Sequence, residues 1–257
     1  CPAHCLQKMN KSIKEYHQYK DPAYLLEPDG THFWIRSGEE LLFTDLLHGM
    51  MLMSGNDAAN YVAYYASGSI PRFMKGMNAY LKELGCKNTQ FYNPHGLHHP
   101  NHVTTAYDMA LIAREAMKNN EIKNIVSKVE YIRSPTNLQN ARTIYQTNAL
   151  LKAGKFFYPK AVGLKTGYTS NAGYTFAGVA EDSKRSLIAI LMGCKDSSER
   201  YREAIRLFEA AFSEVKQERL LFRSEENSFK RTLKEAKTPL KAILYDDVKI
   251  SYYPSEE

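Results

Sequence analysis

Three short apolar segments in close succession constrain the fold of this chain more than any other feature. They run over Ala161–Thr166, Tyr174–Ala180 and Ser186–Met192 and are separated by Gly, Asn, Asp and Ser. This spacing predicts adjacent antiparallel strands, because the connecting residues are those that favour turns. Helix-period patterns lie on both sides, including residues 196–213. The sequence therefore predicts an α+β domain, with helices covering an antiparallel sheet and an additional helical region.

A predicted loop, Ser54–Asp57, interrupts the helical pattern upstream of the strands. The helix before it is expected to start at a Thr44–Asp45 cap, and the helix after it covers Ala58 to Tyr65. Glycine and asparagine between two helical segments mark a sharp turn of the backbone. The other predicted elements are a short strand around His32–Ile35, a helix from Pro71 to Gly85, a helix from Thr105-x-x-Asp108 to Asn119-Asn120, a strand pair near Tyr131 and Thr143, and strands at Leu240–Leu244 and Val248–Tyr252.

Length and composition exclude several classes of protein. With 257 residues, 44% hydrophobic and 24% charged, the chain is globular and is neither disordered nor collagen-like nor a coiled coil. It has no apolar run near about 18 residues, so no transmembrane helix is predicted. The net charge of +6 is spread without a basic block, so we predict no nucleic-acid partner.

The chain is expected to hold one large domain and part of another. Residues 1–215 are predicted to form an N-terminally incomplete domain, since the chain opens on Cys-Pro without a starting Met. Residues 216–257 are predicted to be the beginning of a C-terminal β-rich domain or a tail, because they are too few to bury a core of their own.

Two tripeptides carry the chemical information. Ser54-Gly55-Asn56 lies on the predicted helix–helix loop, and Lys165-Thr166-Gly167 ends a predicted strand. Each tripeptide alone is weak, but their order and placement match the second and third signatures of the penicillin-recognising serine enzymes.

Longer sequence blocks, two of them around these tripeptides, make the resemblance more specific. Glu40–Ala59, Asn88–Ala110 and Gly163–Gly173 resemble D-alanyl-D-alanine carboxypeptidases, the low-molecular-mass penicillin-binding proteins of peptidase family S11. The resemblance covers about Ser37 to Ala211. It implies a penicillin-binding protein/serine β-lactamase-like fold and peptidoglycan pentapeptides ending in D-Ala-D-Ala as substrate. It also implies covalent binding of β-lactams, no cofactor, and a periplasmic place in the bacterial envelope, with attachment to the inner membrane through a segment not seen in this chain.

The resemblance assigns acyl-transfer roles to the motif residues. In this family a serine hydroxyl attacks the D-Ala-D-Ala amide and forms an acyl-enzyme that water then cleaves. By resemblance, Ser54 passes a proton towards the leaving amine, and Asn56 holds the substrate amide and the base. Lys165 supplies a positive charge at the reacting centre.

Substrate binding is assigned in the same way. The strand of Lys165-Thr166-Gly167 would pair with the extended substrate, and the Tyr168 N–H would be one oxyanion donor. A carboxypeptidase needs a cation for the free carboxylate of its substrate. Arg200 matches the family's carboxylate-binding arginine, with Thr166 sharing the task; the alternative is a solvated arginine on a helix face.

The family's nucleophile motif, S-x-x-K, is expected upstream of Ser54 and does not occur there. Cys5-Leu6-Gln7-Lys8 has the spacing with a cysteine, but the residues after it are too polar for a buried helix. The S-x-x-K at Ser213 to Lys216 follows the third motif and is read as coincidence. The expectation is a chain that starts downstream of its nucleophile and does not turn over substrate as written. The alternative is a catalytically inactive envelope protein that binds D-Ala-D-Ala peptides.

Other site types are less favoured. A serine β-lactamase would add a Glu-x-x-Leu-Asn loop, which is absent between Asn56 and Lys165. No metal site is predicted, although four histidines, His95, His98, His99 and His102, lie close together in a predicted loop. The cysteines Cys1, Cys5, Cys86 and Cys194 have no CxxC spacing and allow three pairings into two disulfides if the protein is exported.

Overall fold

The computed structural model describes residues 16–18, 30–224, 228–232 and 237–256. The chain divides into two compact units, Cys1–Phe208 and Glu209–Glu257. Cys1 and the candidate nucleophile Cys5 lie outside the described residues. The predictions made for these two cysteines therefore stay predictions.

Helices supply most of the core of the first unit. The first of them is buried on almost every side and fully buries Leu46, Leu47 and Leu52. Burial of each leucine contributes about 1.5–3 kcal/mol, so apolar packing is the main source of stability for this helix. The helices are α1 (Phe43–Leu52), α2 (Asn56–Ser67), α3 (Ile70–Glu83), α4 (Ala106–Met117), α5 (Asn120–Val126) and α6 (Glu199–Ser213).

A three-stranded antiparallel sheet confirms the strand predictions. Its strands are β5 (Ala161–Thr169), β6 (Gly173–Glu181) and β7 (Ser186–Cys194), in the order β5-β6-β7. Among the described strands β5 pairs with β6 only, so β5 forms one edge of the sheet. Helix α4 packs on β7 and helix α5 on β5. The α+β prediction, with helices covering an antiparallel sheet, is confirmed.

A hairpin of β3 (Glu130–Arg133) and β4 (Arg142–Tyr145) confirms the predicted strand pair. Its connecting loop is fixed by the carboxylate of Glu39, which is fully buried. That carboxylate accepts hydrogen bonds from Thr136 Oγ1 at 2.6 Å and Gln139 Nε2 at 2.8 Å, and it pairs with Arg133 at 3.3 Å. Strand β2 (Glu40–Leu42) follows Glu39 and pairs with β1 (Tyr16–Gln18).

The second unit contains short antiparallel pairs. Strands β8 (Gln217–Phe222) and β11 (Val248–Tyr252) pair together, as do β9 (Ser228–Arg231) and β10 (Leu240–Ile243). Strands β10 and β11 were predicted from the sequence, whereas β8 and β9 were not. The assignment of residues 216–257 to an incomplete β-rich domain stays a prediction.

Two predictions at the start of the helical region are wrong. Helix α1 begins at Phe43, so Thr44 and Asp45 are not its cap. Asp45 is buried and accepts a hydrogen bond from the Tyr131 hydroxyl at 2.6 Å. The segment His32–Ile35 forms no strand, because its backbone donates to a side chain instead of a neighbouring strand. A tertiary partner overrides local preference in both cases.

Three helix starts show where the predictions held and where they did not. Helix α2 begins at Asn56, inside the predicted loop. Thr105 caps α4 as predicted, but the Asp108 carboxylate accepts from Thr89 Oγ1 at 2.7 Å and from the Asn88 N–H at 2.8 Å. Asn119 does not simply end a helix: its side chain caps the unpredicted helix α5.

Candidate active site

The Ser54-Gly55-Asn56 segment makes a tight turn between α1 and α2. Ser54 has a φ of 64°, in the left-handed region, and is half-buried. The Gly55 N–H donates to the Gly49 carbonyl at 3.0 Å, and the Asn56 N–H donates to the Thr31 carbonyl at 2.8 Å. A non-glycine residue held in this region is costly and is typical of functional sites. The backbone hydrogen bonds therefore fix the positions of the Cα atoms from which the Ser54 and Asn56 side chains extend.

Asn56 presents a buried amide. Its side chain is 5% exposed, and its Nδ2 has no hydrogen-bond partner among the described residues. A buried donor left unpaired in this way costs free energy, so a partner that accepts its hydrogen bond would be stabilised there. An amide donor available to a ligand is what the proposed contact to the substrate amide requires.

Asp57 fixes the segment that lies against this turn, and sequence reasoning gave it no role. Its carboxylate is fully buried and accepts from the Phe33 N–H at 2.6 Å and the Ile35 N–H at 3.2 Å. Gly49 has to be small for the same packing, because a Cβ there would lie 2.5 Å from the Phe33 ring. Asp57 lies in the first turn of α2, where an acidic residue is favoured, and this is the local signal that could have pointed to it.

Lys165 lies on β5, with its ammonium in a restricted environment. The Nζ donates to the Thr166 carbonyl oxygen at 2.7 Å. Burial, and then the charge of Arg200, lower the pKa of Lys165 to about 8. The residue is thus mostly protonated at neutral pH and can release a proton at small cost.

Thr147 connects three parts of the site, although no sequence motif marked it. Its N–H donates to the Leu52 carbonyl at 3.1 Å, two residues before Ser54. Its hydroxyl is 2.8 Å from the Thr166 hydroxyl on β5, and its carbonyl accepts from the Tyr201 hydroxyl at 3.0 Å. Thr147 therefore joins the end of helix α1, just before Ser54-Gly55-Asn56, to strand β5 and to helix α6.

Arg200 stands near the start of α6, as predicted, and is only 9% exposed. Its guanidinium donates to the Gly167 carbonyl at 3.2 Å and to the Tyr201 hydroxyl at 3.2 Å. It also lies 5.4 Å from the centre of the Tyr174 ring. A buried guanidinium held against β5 is not a solvated side chain on a helix face, so that alternative is excluded. The geometry brings Lys165, Thr166, Gly167 and Arg200 together.

The comparisons with known proteins agree with this arrangement. The family described as "Peptidase_S11: D-alanyl-D-alanine carboxypeptidase" matches residues 7–196. The chain belongs to this family. The D-alanyl-D-alanine carboxypeptidase DacF of Bacillus subtilis is 36% identical over 197 residues, which are 76% of this chain and 49% of DacF. The recognition made from the sequence is therefore confirmed.

Solved structures agree on the fold of this S11 family member. A D-alanyl-D-alanine carboxypeptidase DacD structure from Francisella tularensis gives a TM-score of 0.77 at 22% identity, covering 98% of this chain and 73% of that one. A D-alanyl-D-alanine carboxypeptidase from Mycobacterium tuberculosis gives 0.72 at 28% identity, covering 82% and 78%. The chain spans about half the length of the curated relatives that it matches.

Gly167 and Tyr168 follow Thr166 on β5. A Cβ at Gly167 would overlap the hydroxyl of Thr175, its partner on β6, so a larger residue there would displace that hydroxyl. Tyr168 is 58% exposed, and its ring centre lies 4.4 Å from that of Tyr174. The role of the Tyr168 N–H as an oxyanion donor stays a prediction.

The histidine-rich loop is packed by its own rings. His99 stacks on Tyr92 with ring centres 4.1 Å apart, and His102 lies 4.7 Å from Phe91. Burial, and then the charges of His95, His99 and His98, lower the pKa of His102 to about 4. No group of three or more His, Cys, Asp or Glu in the described part of the chain is arranged to hold a metal ion.

The two described cysteines are free thiols. Cys86 is buried, and its thiol lies 3.7 Å from the Asp108 carbonyl. Cys194 ends β7 and is partly buried. Burial raises the pKa of both thiols, so neither has the low pKa of a reactive nucleophile.

Proposed function

We propose that the protein is a serine-type D-Ala-D-Ala carboxypeptidase that trims peptidoglycan stem peptides through an acyl-enzyme and is bound covalently by β-lactams. The observation that carries the proposal is the pair of cations, Lys165 and Arg200, held beside the free edge of β5. A free strand edge accepts an extended peptide, and a buried guanidinium suits a peptide that ends in a carboxylate. A peptide that binds in an extended conformation and ends in a carboxylate would use both the strand edge and the guanidinium.

The proposed chemistry has two steps. A serine oxygen adds to the carbonyl carbon of the D-Ala-D-Ala amide, and the C–N bond then breaks, so that D-alanine leaves with a proton on its amine. Water next adds to the carbonyl carbon of the acyl-enzyme ester, and the C–O bond to the serine breaks, which releases the shortened peptide as a carboxylate and restores the serine hydroxyl. Ser54 lies on the tight turn from which its hydroxyl can relay the proton, and the Asn56 amide is available for the substrate carbonyl.

Electrostatics supports the direction of cleavage from the carboxyl end. A carboxylate 4 Å from a cation at an effective dielectric constant of 20 gains about 4 kcal/mol. Arg200 cannot swing away without losing its bonds to the Gly167 carbonyl and the Tyr201 hydroxyl. A fixed cation selects peptides with a free terminal carboxylate over amidated ones.

The serine nucleophile is proposed to lie outside these 257 residues, because no S-x-x-K occurs upstream of Ser54. Among the described residues, no helix is both long and apolar enough to cross a membrane. We place the protein in the periplasmic part of the bacterial envelope, attached to the inner membrane by a segment that these residues do not include.

Intact mass spectrometry with benzylpenicillin tests the proposal. We expect no adduct on this chain and one adduct on a version that carries an upstream S-x-x-K segment. In that version, Lys165→Ala should abolish the adduct, and Arg200→Ala should reduce peptide trimming more than penicillin labelling. Normal labelling of Lys165→Ala refutes the role of the lysine, and an equal loss in both assays refutes the carboxylate site.

The absence of S-x-x-K upstream of Ser54 also favours a second candidate. This is a catalytically inactive envelope protein that binds D-Ala-D-Ala peptides. It predicts that the longest natural form of the protein binds such a peptide by calorimetry and never forms a penicillin adduct. An adduct on that form excludes it.

A further inference from the structure

An open recess of about 490 Å³ lies beside the tight turn and plays no part in the chemistry proposed above. It is lined by Trp34, Ile35, Arg36, Gln139 and Arg142. Ligand sites usually have volumes of about 300–1,000 Å³ and combine an apolar wall with a few polar groups. The recess fits that description, because one aromatic ring and two guanidinium groups share its wall.

Trp34 is held in an unfavourable conformation that exposes its ring. Its φ is 61°, and its side chain is 59% exposed, while its neighbours Phe33 and Ile35 are buried. The N–H groups of both neighbours donate to the Asp57 carboxylate, and Gln139 Nε2 donates to the Trp34 carbonyl at 2.9 Å. A bulky residue with positive φ costs about 1–2 kcal/mol. The surroundings therefore hold an exposed indole in place against its local preference.

The two arginines give the recess a positive charge. Within the described residues, neither Arg36 nor Arg142 forms an ion pair; Arg36 donates to the Leu138 carbonyl and Arg142 to the Phe33 carbonyl. The carboxylates of Asp57 and Glu39 act electrostatically on Arg142, but both are buried and already hydrogen-bonded: Asp57 to backbone N–H groups, and Glu39 to Thr136, Gln139 and Arg133. Arg142 Nε is buried and also has no partner among the described residues.

The recess is connected to the candidate active site through the backbone. Thr31, three residues before Trp34, accepts the hydrogen bond of the Asn56 N–H, and Asp57 grips both neighbours of Trp34. The segment from Thr31 to Trp34 is therefore held against the Asn56 turn, so one extended ligand could contact both Asn56 and Trp34.

We propose that this recess binds a carboxylate-bearing part of the substrate remote from the scissile bond, with the carboxylate on Arg142 and Arg36 and the adjoining C–H surface on the Trp34 ring. The inference rests on the proposed function, since it takes the bound molecule to be a peptide–saccharide. Guanidinium groups bind carboxylates in a planar, two-pronged manner, and indole faces favour flat C–H surfaces. The carboxylate belongs to an acidic amino acid of the peptide, because the carboxyl group of the attached sugar acid is consumed in its amide bond to the peptide.

Trp34 provides the assay, because it is the single tryptophan of the chain. Its fluorescence is recorded during titration with L-Ala-D-Glu and with the amidated form of the same dipeptide. A response to L-Ala-D-Glu that is weakened about tenfold or more by amidation and by Arg36→Gln supports the proposal. Equal binding of the amidated dipeptide, or no response to L-Ala-D-Glu, overturns it.

Control variants separate a lost contact from a lost fold. Arg114→Gln removes an exposed arginine on α4 and should leave the titration unchanged. Arg142→Gln should weaken the response as Arg36→Gln does, and its far-ultraviolet circular dichroism shows whether the loss of the Phe33 contact has unfolded it. Folded Arg36→Gln that binds L-Ala-D-Glu like the unaltered chain also overturns the proposal.

Failure of this inference can be told from failure of the proposed function. Normal benzylpenicillin labelling of the S-x-x-K-containing version, with no probe response at Trp34, refutes the recess and leaves the carboxypeptidase proposal intact. A carboxylate-dependent probe response without any penicillin adduct refutes the acyl-enzyme proposal and supports the recess.

Discussion

Replacing Lys165 by methionine is expected to stabilise the folded chain at neutral pH. Burial, and then the charge of Arg200, lower the lysine pKa from 10.5 to about 8. That difference corresponds to at most about 3–4 kcal/mol of unfavourable free energy for the protonated form in the folded state. Loss of the hydrogen bond to the Thr166 carbonyl offsets about 1 kcal/mol of the gain. Because the side chain is only partly buried, we expect a net gain of about 1–2 kcal/mol.

The stabilisation by Lys165→Met should depend on pH, and the lysine pKa values of the unfolded and folded chain determine the direction of that dependence. Below pH 8 the lysine is protonated in both the folded and the unfolded chain, so the full penalty is present. Between about pH 8 and pH 10.5 the folded chain has released the proton while the unfolded chain retains it, so stability of the unaltered chain rises with pH. The advantage of Lys165→Met is therefore largest below pH 8 and shrinks towards pH 10.5.

Urea unfolding at neutral pH and at a pH between the two pKa values measures this difference. Lys184→Met serves as the matched control, because Lys184 is exposed on the β6–β7 turn. The control should change the free energy of unfolding equally at both pH values. A Lys165→Met chain that is less stable at neutral pH, or whose advantage does not shrink with pH, refutes the reasoning about the buried charge.

Three further predictions concern contacts around the site. Gly167→Ala should lower the thermal midpoint, because the new Cβ overlaps the Thr175 hydroxyl; adding Thr175→Ala should restore most of the loss, and no restoration would contradict the steric explanation. Tyr201→Phe should reduce the free energy of unfolding by about 1–3 kcal/mol, measured in urea, since it removes the hydroxyl bonded to Arg200. Asp57→Asn should cost about 1–3 kcal/mol in the same assay, and an unchanged midpoint would show that the backbone N–H groups find other partners.

The sheet and the motif residues were predictable because their signals are local. The apolar runs of β5, β6 and β7 are separated by turn-forming residues, and each observed strand contains its predicted range. Lys165-Thr166-Gly167 and Ser54-Gly55-Asn56 are recognisable as strings, so their place in the family could be read without coordinates. Arg200 was found by resemblance, since it opens the helix that follows Asp196-Ser197-Ser198.

The supporting residues were not predictable because their partners are distant in the chain. Thr147 bonds to Leu52, Thr166 and Tyr201, none of which is near it in sequence, and nothing around Thr147 suggests these contacts. The segment around Phe33 has strand-like composition, yet the Asp57 carboxylate takes its N–H groups and prevents pairing. Tertiary hydrogen bonds of this kind override local propensity.

An edge strand offers its unpaired N–H and carbonyl groups to any extended backbone, including the same strand of a second copy. On β5 that edge lies beside the charges of Lys165 and Arg200. Two copies approaching edge to edge would bring like charges together in a poorly hydrated space, whereas a peptide ending in a carboxylate would be attracted by the same groups. The edge alone would pair with any strand, and the two cations would favour an anionic peptide over a second copy of β5.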